Sequence, residues 1–276
     1  GGEVDYLCYG GIYRDVTLRA VPHCHIDSIY ARPASVLTAE KSLQVDITIA
    51  HGERTNKSID VSVALFDFRN RKRAELSRSL VVSVPSLSLS MMMDELTGLK
   101  LWTLEKPELY RVEVSLLEDG LVCDVVSTRI GFRTVEFTPK GFFLNGKPLK
   151  LRGLNRHQSF PYVGYAMPKR VQRKDADILK YELGVNIVRT SHYPQSPYFL
   201  DRCDEIGLLV FEETPGWQHI GDSAWQDISC ENIRKMIIRD RNHPSIVLWG
   251  VRINESPDCT EFYQRTNTIA RELDPY

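Results

Sequence analysis

Apolar and polar residues alternate along Leu43-Gln44-Val45-Asp46-Ile47-Thr48-Ile49 and again along Ile59-Asp60-Val61-Ser62-Val63-Ala64-Leu65. Successive side chains of a strand point to opposite faces, so a period of two predicts strands with one face buried and one in water. Residues 112–116, 122–130 and 86–91 behave similarly, with polar turns between the runs. Together they predict an antiparallel sandwich. The Leu and Met residues of 86–91 are assigned to its core. The basic run 69–73, with Asn70 inside it, reads as a solvated hairpin turn rather than a nucleic-acid patch.

Near residue 137 the period changes. Asn145-Gly146, between Phe142-Phe143-Leu144 and Leu149-Lys150-Leu151, is a type I′ hairpin signal. Helices and strands then alternate. Over 169–183, Val171, Ile178, Leu179 and Leu183 form one helical stripe, with Gly184 just beyond to end it. Ser196-Pro197 offers an N-cap followed by proline at N1; Phe199, Leu200, Cys203 and Ile206 give the apolar face, and Gly207 the stop. Ile233, Met236 and Ile237 mark a third helix. Ser256-Pro257 is expected to cap a fourth, whose stripe is Phe262, Thr266, Ile269, Ala270 and Leu273. Strands are expected near 149–154, 185–190, 208–213 and 246–253. This alternation requires a parallel sheet with helical crossovers. Four such units fit an open doubly wound sheet or half of a barrel, and periodicity alone does not choose between them. No glycine-rich phosphate loop follows the first strand, which weighs against nucleotide binding.

With 276 residues the chain is long enough for a substantial core and, by the usual length prior, for roughly two domains. Its 26% charged and 42% hydrophobic residues are ordinary for a soluble protein, and a net charge of −1 leaves no electrostatic footprint for nucleic acid or anionic membrane. No apolar stretch approaches the roughly 20 residues that cross a bilayer. Gly1-Gly2-Glu3 has neither the basic nor the apolar region of a signal peptide, and without Met the native start is expected further upstream. Cysteines 8, 24, 123, 203, 230 and 259 show no C-x-x-C spacing, which favours reduced thiols and a cytoplasmic location. Alternation would put His23 and His25 of Pro22-His23-Cys24-His25 on one face, but without a further ligand pair nearby they read as a strand edge or domain junction.

Each expected parallel strand ends in polar groups: Asn155-Arg156-His157, Arg189-Thr190-Ser191-His192, Glu212-Glu213 and Asn254-Glu255. In a parallel barrel such ends gather on one face, where active sites sit. One histidine after a strand is ordinarily structural; four clusters at four successive ends are hard to assign to packing. The chemistry they fit is glycosidic cleavage. Glu255 would protonate the leaving oxygen, provided burial or a nearby carboxylate raises its pKa. Asn254 would bond a sugar hydroxyl more strongly as the transition state forms. His157, His192 and Arg189 would donate to hydroxyls around the ring, with Asn155 on the same face. Trp217 and Trp249 offer apolar faces, Trp249 fitting the core equally well. Glu212 and Glu213 fit either a catalytic role or pairing with Arg156 or Arg189.

At these residues the sequence resembles glycoside hydrolase family 2, the β-galactosidase and β-glucuronidase family, and most closely its bacterial β-galactosidase-like members. The matching segments are GGIYRDVTL (10–18), GFRTVEF (131–137), FFLNGKPLKLRGLNRHQ (142–158), NIVRTSHYPQSPYFLDRCDEIGLLVFEE (186–213), RDRNHPSIVLW (239–249) and Asn254-Glu255. The resemblance implies that 1–22 are the tail of a jelly-roll sugar-binding domain, 23–136 an immunoglobulin-like sandwich, and 137–276 the N-terminal half of a TIM barrel. It implies Glu255 as acid/base, Asn254 as a 2-hydroxyl ligand, His157 and His192 as sugar contacts, and Arg189 as support for the carboxylates. Asp5 matches an aspartate that reaches from the jelly roll into the sugar pocket. Retaining hydrolysis of terminal β-galactosides is implied, with a glucuronide or other β-glycoside as the alternative, no required cofactor, and a homo-oligomeric full-length protein.

The sequence also departs from the family pattern. The family's N-R-H-E reads Asn155-Arg156-His157-Gln158, one carboxylate fewer. Magnesium-dependent members carry a glutamate two positions before a histidine; here His219 is kept but Trp217 stands in the glutamate's place, which weighs against magnesium. The family's nucleophile follows a later barrel strand, past Tyr276. A retaining mechanism needs two carboxyls about 5–5.5 Å apart, so residues 1–276 alone are expected to have negligible activity. The competing reading is a non-catalytic carbohydrate-binding or interaction module. Open sheet edges and apolar helix faces would in either case favour association.

Overall fold

A computed structural model describes residues 6–52 and 56–275. Its first part is the expected antiparallel sandwich. The strands are β1 (Cys24–Ala34), β2 (Lys41–His51), β3 (Lys57–Phe66), β4 (Lys72–Val82), β5 (Ser86–Leu96), β6 (Tyr110–Glu118) and β7 (Leu121–Ile130). They form sheets ordered β1-β2-β5 and β4-β3-β6-β7. Burial alternates residue by residue along β2 and β6. Leu43, Val45, Ile47 and Ile49 thereby join Val61, Val63, Val112 and Val114 in one core, each such side chain contributing about 1.5–3 kcal/mol. Leu89, Met91 and Met93 of β5 are buried in it. The turn between β3 and β4 is the basic run: Asp67 accepts from the Arg69 and Arg71 amides, both at 3.0 Å, while Asn70 takes φ +58°, a conformation asparagine tolerates.

A three-stranded meander follows, β8 (Val135–Thr138), β9 (Gly141–Leu144) and β10 (Lys147–Pro148). Asn145 and Gly146 both have positive φ, +52° and +71°, as a type I′ turn requires. Phe142 and Leu144 pack with Trp102, Leu104, Leu209 and Val247, so the meander joins the sandwich to the next layer. Trp102 Nε1 donates to the Asp204 carbonyl at 2.8 Å, and Arg133 donates to the carbonyls of Pro244 and Ile246.

The remaining elements alternate: β11 (Gly153–Arg156), α1 (Lys169–Asp177), β12 (Ile187–Thr190), α2 (Pro197–Ile206), β13 (Leu209–Glu213), α3 (Ser223–Asp240), β14 (Ile246–Gly250) and α4 (Thr260–Leu273). The four strands are parallel and lie in sequence order. A doubly wound sheet reverses its strand order at a switch point; no such reversal occurs among these four strands. Val188, Val210 and Ile246 face α2 and bury Phe199, Leu200 and Cys203 against them.

Four expected details differ. Leu183 is 56% exposed rather than on the buried stripe. After α1 the chain widens into a π-helical turn, Ile178–Glu182, with the Leu183 amide bonded to the Ile178 carbonyl, and that wider turn takes Leu183 off the α-helical spacing. The first parallel strand begins at Gly153, not 149, because the Leu149 amide is bonded to the Phe142 carbonyl of the meander. The fourth ends at Gly250. Ser256 does not cap α4, which starts after Cys259 without a side-chain cap; Ser256 Oγ donates instead to the Ile253 carbonyl at 2.7 Å. Residues 6–22 form neither helix nor strand and are tied to the second part by Arg14 on the Pro194 carbonyl and by Tyr198 on Asp15. No helix among the described residues is long and apolar enough to cross a membrane.

Candidate active site

Adjacent residues at a strand end point to opposite faces, and this divides the polar clusters. At the end of β11, Arg156 turns beneath α1. It is buried, pairs with Asp175, bonds Gln195 and Gln172, and lies over the Phe199 ring. Burial lowers its pKa despite the Asp175 charge. Its partner is therefore neither Glu212 nor Glu213. Asn155 is exposed and in register with Arg189. His157 is half-buried with its ring 5.4 Å from that of His192. Gln158 is buried and accepts the Ser196 amide at 2.8 Å, holding the start of α2.

Glu212 and Glu213 divide the same way. Glu212 is fully buried beside Arg239 and the Gln195 amide; burial, and then the Asp240 carboxylate, push its pKa well up. Glu213 faces the site. Its two oxygens accept from Arg189 Nε at 2.7 Å and His192 Nδ1 at 2.9 Å. Arg189 also donates through Nη2 to Asn254 Oδ1 at 2.7 Å. A hydrogen-bonded chain thus runs His192, Glu213, Arg189, Asn254 across three strand ends.

Glu255 stands apart from these two buried carboxylates. It is exposed, with φ +53°, and its carboxylate accepts from Gln218 Nε2 at 3.0 Å. It lies on the loop past β14 rather than in the strand's buried mouth. That loop is stitched to the one after β13: the Gln218 amide donates to the Asn254 carbonyl at 2.8 Å. Trp217, on the same loop, sets its ring 5.2 Å from that of His192. Trp249 belongs to the core, its indole donating to Asp274.

Tyr6, Tyr193 and Gln218 are neighbours of the site that sequence reasoning missed. The Tyr6 ring stands 4.8 Å from His157 and 6.1 Å from Trp217. Its signal was adjacency to Asp5, which itself lies outside the described residues. Tyr193 directly follows His192 and packs on Tyr165. His219 is not gathered in; it is exposed, edge-on to Trp225 at 5.6 Å. With an indole two positions before it, this donor set does not fit a magnesium ion. Asp201, Asp204 and His243 cluster elsewhere, but Arg129 pairs with Asp201 and His243 Nδ1 is bonded to Asp204.

Among the described residues the face therefore offers fixed polar side chains, aromatic rings and the accessible carboxylate of Glu255, a combination suited to a polyhydroxylated ligand. Residues 24–133 match the model for glycosyl hydrolases family 2, and residues 135–276 match that family's TIM barrel domain. A β-galactosidase of Thermoanaerobacterium thermosulfurigenes is 48% identical over 100% of this chain and 38% of its own length. One of Thermoanaerobacter pseudethanolicus is 50% identical over 99% of this chain and 36% of its own. The chain thus spans little more than a third of these relatives. The crystal structure of a Bacteroides uniformis β-glucuronidase superposes with TM-score 0.83 at 31% identity, over 96% of this chain and 34% of that one. The two family models together take in nearly all of the residues from Cys24 onward, and the chain belongs to glycosyl hydrolase family 2.

Proposed function

We propose that the protein, at its natural full length, is a retaining β-glycosidase that removes terminal β-galactosyl units, with Glu255 as acid/base. The observation that carries this reading is Asn254-Glu255 on the loop that follows β14, with the Asn254 amide held by Arg189 2.7 Å away. Because Asn254 Oδ1 accepts that bond, its Nδ2 is left to donate to a sugar hydroxyl. Trp217 would cover an apolar sugar face. Substrate, by excluding water around Glu255, would supply the desolvation that an acid needs. Glu213 is committed to Arg189 and His192, so the nucleophile of this reading is a carboxylate outside residues 1–276, and these residues alone should not turn over substrate.

By the same reading, 1–22 close a jelly-roll domain, 23–136 are an immunoglobulin-like sandwich, and 137–276 open a TIM barrel. The contact of Tyr6 with His157 supports a reading in which the N-terminal segment lines the sugar pocket; Asp5, whose role is implied by the family resemblance, lies outside the described residues. The test is hydrolysis of p-nitrophenyl β-galactoside and β-glucuronide by the full-length protein. Glu255→Gln should lower kcat by roughly 10²–10⁴-fold, the size of a general-acid contribution. Turnover unchanged in that variant would remove Glu255 from the chemistry. Faster glucuronide hydrolysis would reassign the sugar, and binding without turnover would leave a carbohydrate-binding module.

A further inference from the structure

We propose that Glu213 is the positioning residue of this site, setting the ring tautomer of His192 and the amide direction of Asn254 without touching the ligand. The kinetic part of this rests on the glycosidase reading; the structural part does not. Glu213 has 5% of its side chain exposed, and both of its oxygens are taken by protein donors. A buried carboxylate is costly unless donors surround it, and here each oxygen has its own. Arg189 and His192, three positions apart on and after β12, both turn to this one group on β13. The Glu213 amide is fixed as well, donating to Thr190 Oγ1 at 2.9 Å.

The neighbouring strand makes room for it. Gly250 of β14 is the register partner of Glu213, and a Cβ on Gly250 would lie 2.7 Å from Glu213 Cγ and 2.7 Å from the Phe211 ring. The carboxylate arm therefore lies across a glycine that leaves space for it.

Two consequences follow from donor and acceptor chemistry. A carboxylate offers only lone pairs, so the His192 nitrogen facing it, Nδ1, carries a proton. Nε2 is then the nitrogen that presents a lone pair to a ligand while the ring is neutral. On the other arm, Arg189 held by Glu213 presents Nη2 to Asn254 Oδ1, which turns Asn254 Nδ2 away toward the ligand. One carboxylate thus decides what two ligand-facing side chains offer, an acceptor from His192 and a donor from Asn254.

The isosteric change Glu213→Gln separates this from packing. A glutamine whose oxygen stays on the Arg189 cation turns its NH₂ toward His192 Nδ1. That nitrogen must then accept, so the proton moves to Nε2. The readout is the ¹⁵N signature of His192 in histidine-labelled full-length protein, assigned by comparison with His192→Gln. An Nδ1–H ring is expected in the native protein and an Nε2–H ring in Glu213→Gln. With p-nitrophenyl β-galactoside, kcat/KM should fall on the order of 10–100-fold, by analogy with the partners that orient metal-bound histidines. Glu213→Asp, which keeps the carboxylate, should retain the Nδ1–H ring and recover most of that loss; it also carries the test if the glutamine variant fails to fold. The proposal is overturned by an Nε2–H ring in the native protein, by the same tautomer in native and Glu213→Gln, or by Glu213→Asp being as impaired as Glu213→Gln. The tautomer is read without substrate, so it can hold even if the galactosidase assay fails.

Discussion

Replacing Asp204 with Asn should flatten the pH dependence of stability between about pH 6.5 and 9. Asp204 lies on α2 with 1% of its side chain exposed; its oxygens accept the Ser245 amide at 3.0 Å and His243 Nδ1 at 2.5 Å. Its backbone carbonyl receives the indole of Trp102, so the group sits where sandwich meets barrel. Burial alone would pull the His243 pKa down. The Asp204 charge and hydrogen bond, helped by Asp240 and Asp201, outweigh it and hold it at about 9 against an ordinary 6.5. A pKa raised in the folded state stabilises the protein fully below the unfolded value and loses that contribution as pH climbs through the folded one. A gap between 6.5 and about 9, at about 1.4 kcal/mol per unit, is on the order of 3 kcal/mol. Urea unfolding followed by tryptophan fluorescence across this range measures it. Native protein should lose roughly this much between the two ends beyond any loss in Asp204→Asn, and the variant's deficit should be largest at the acidic end. Parallel pH profiles for the two proteins, or a native profile that rises across the window, would refute the reasoning.

Gly207 ends α2 at φ +69°, and a Cβ there would lie 2.5 Å from the Leu104 carbonyl oxygen. Gly207→Ala should therefore cost more than the roughly 1–2 kcal/mol of the left-handed conformation alone, seen as a lowered urea midpoint; an unchanged midpoint would mean that the Leu104 segment yields freely. Exhaustive treatment with EDTA should leave glycosidase turnover unchanged, because Trp217 and His219 do not make a magnesium ligand pair. Loss of activity that added magnesium restores would show the ligands to lie elsewhere.

The sequence alone determined much of this protein. Strict alternation along β2 and β6 fixed the sandwich, since only one face of each sheet could leave water. Asn145-Gly146 fixed the hairpin, and Ser196-Pro197 with Gly207 fixed both ends of α2. The polar strand ends pointed to one face, and the structure puts Asn155 and Arg189 on neighbouring strands, with His157, His192 and Asn254 on the segments that follow β11, β12 and β14. These signals are local, carried by side-chain period and backbone preference.

What tertiary structure decided is which of two adjacent polar residues turns toward the site. Arg156 and His157, or Glu212 and Glu213, are equivalent in sequence; α1 and α3 packing on one side of the sheet made Arg156 and Glu212 internal. The four parallel strands took sequence order, without the reversal of a doubly wound sheet. A π-turn moved Leu183 outward, and the Ile253 carbonyl drew Ser256 away from its expected cap. Tyr6 met His157 across 151 positions of chain, and Glu255 stayed in solvent on its loop. Each of these depends on which distant group occupies the neighbouring space, and the energy of a buried charge or hydrogen bond is set by that neighbour rather than by the residue itself.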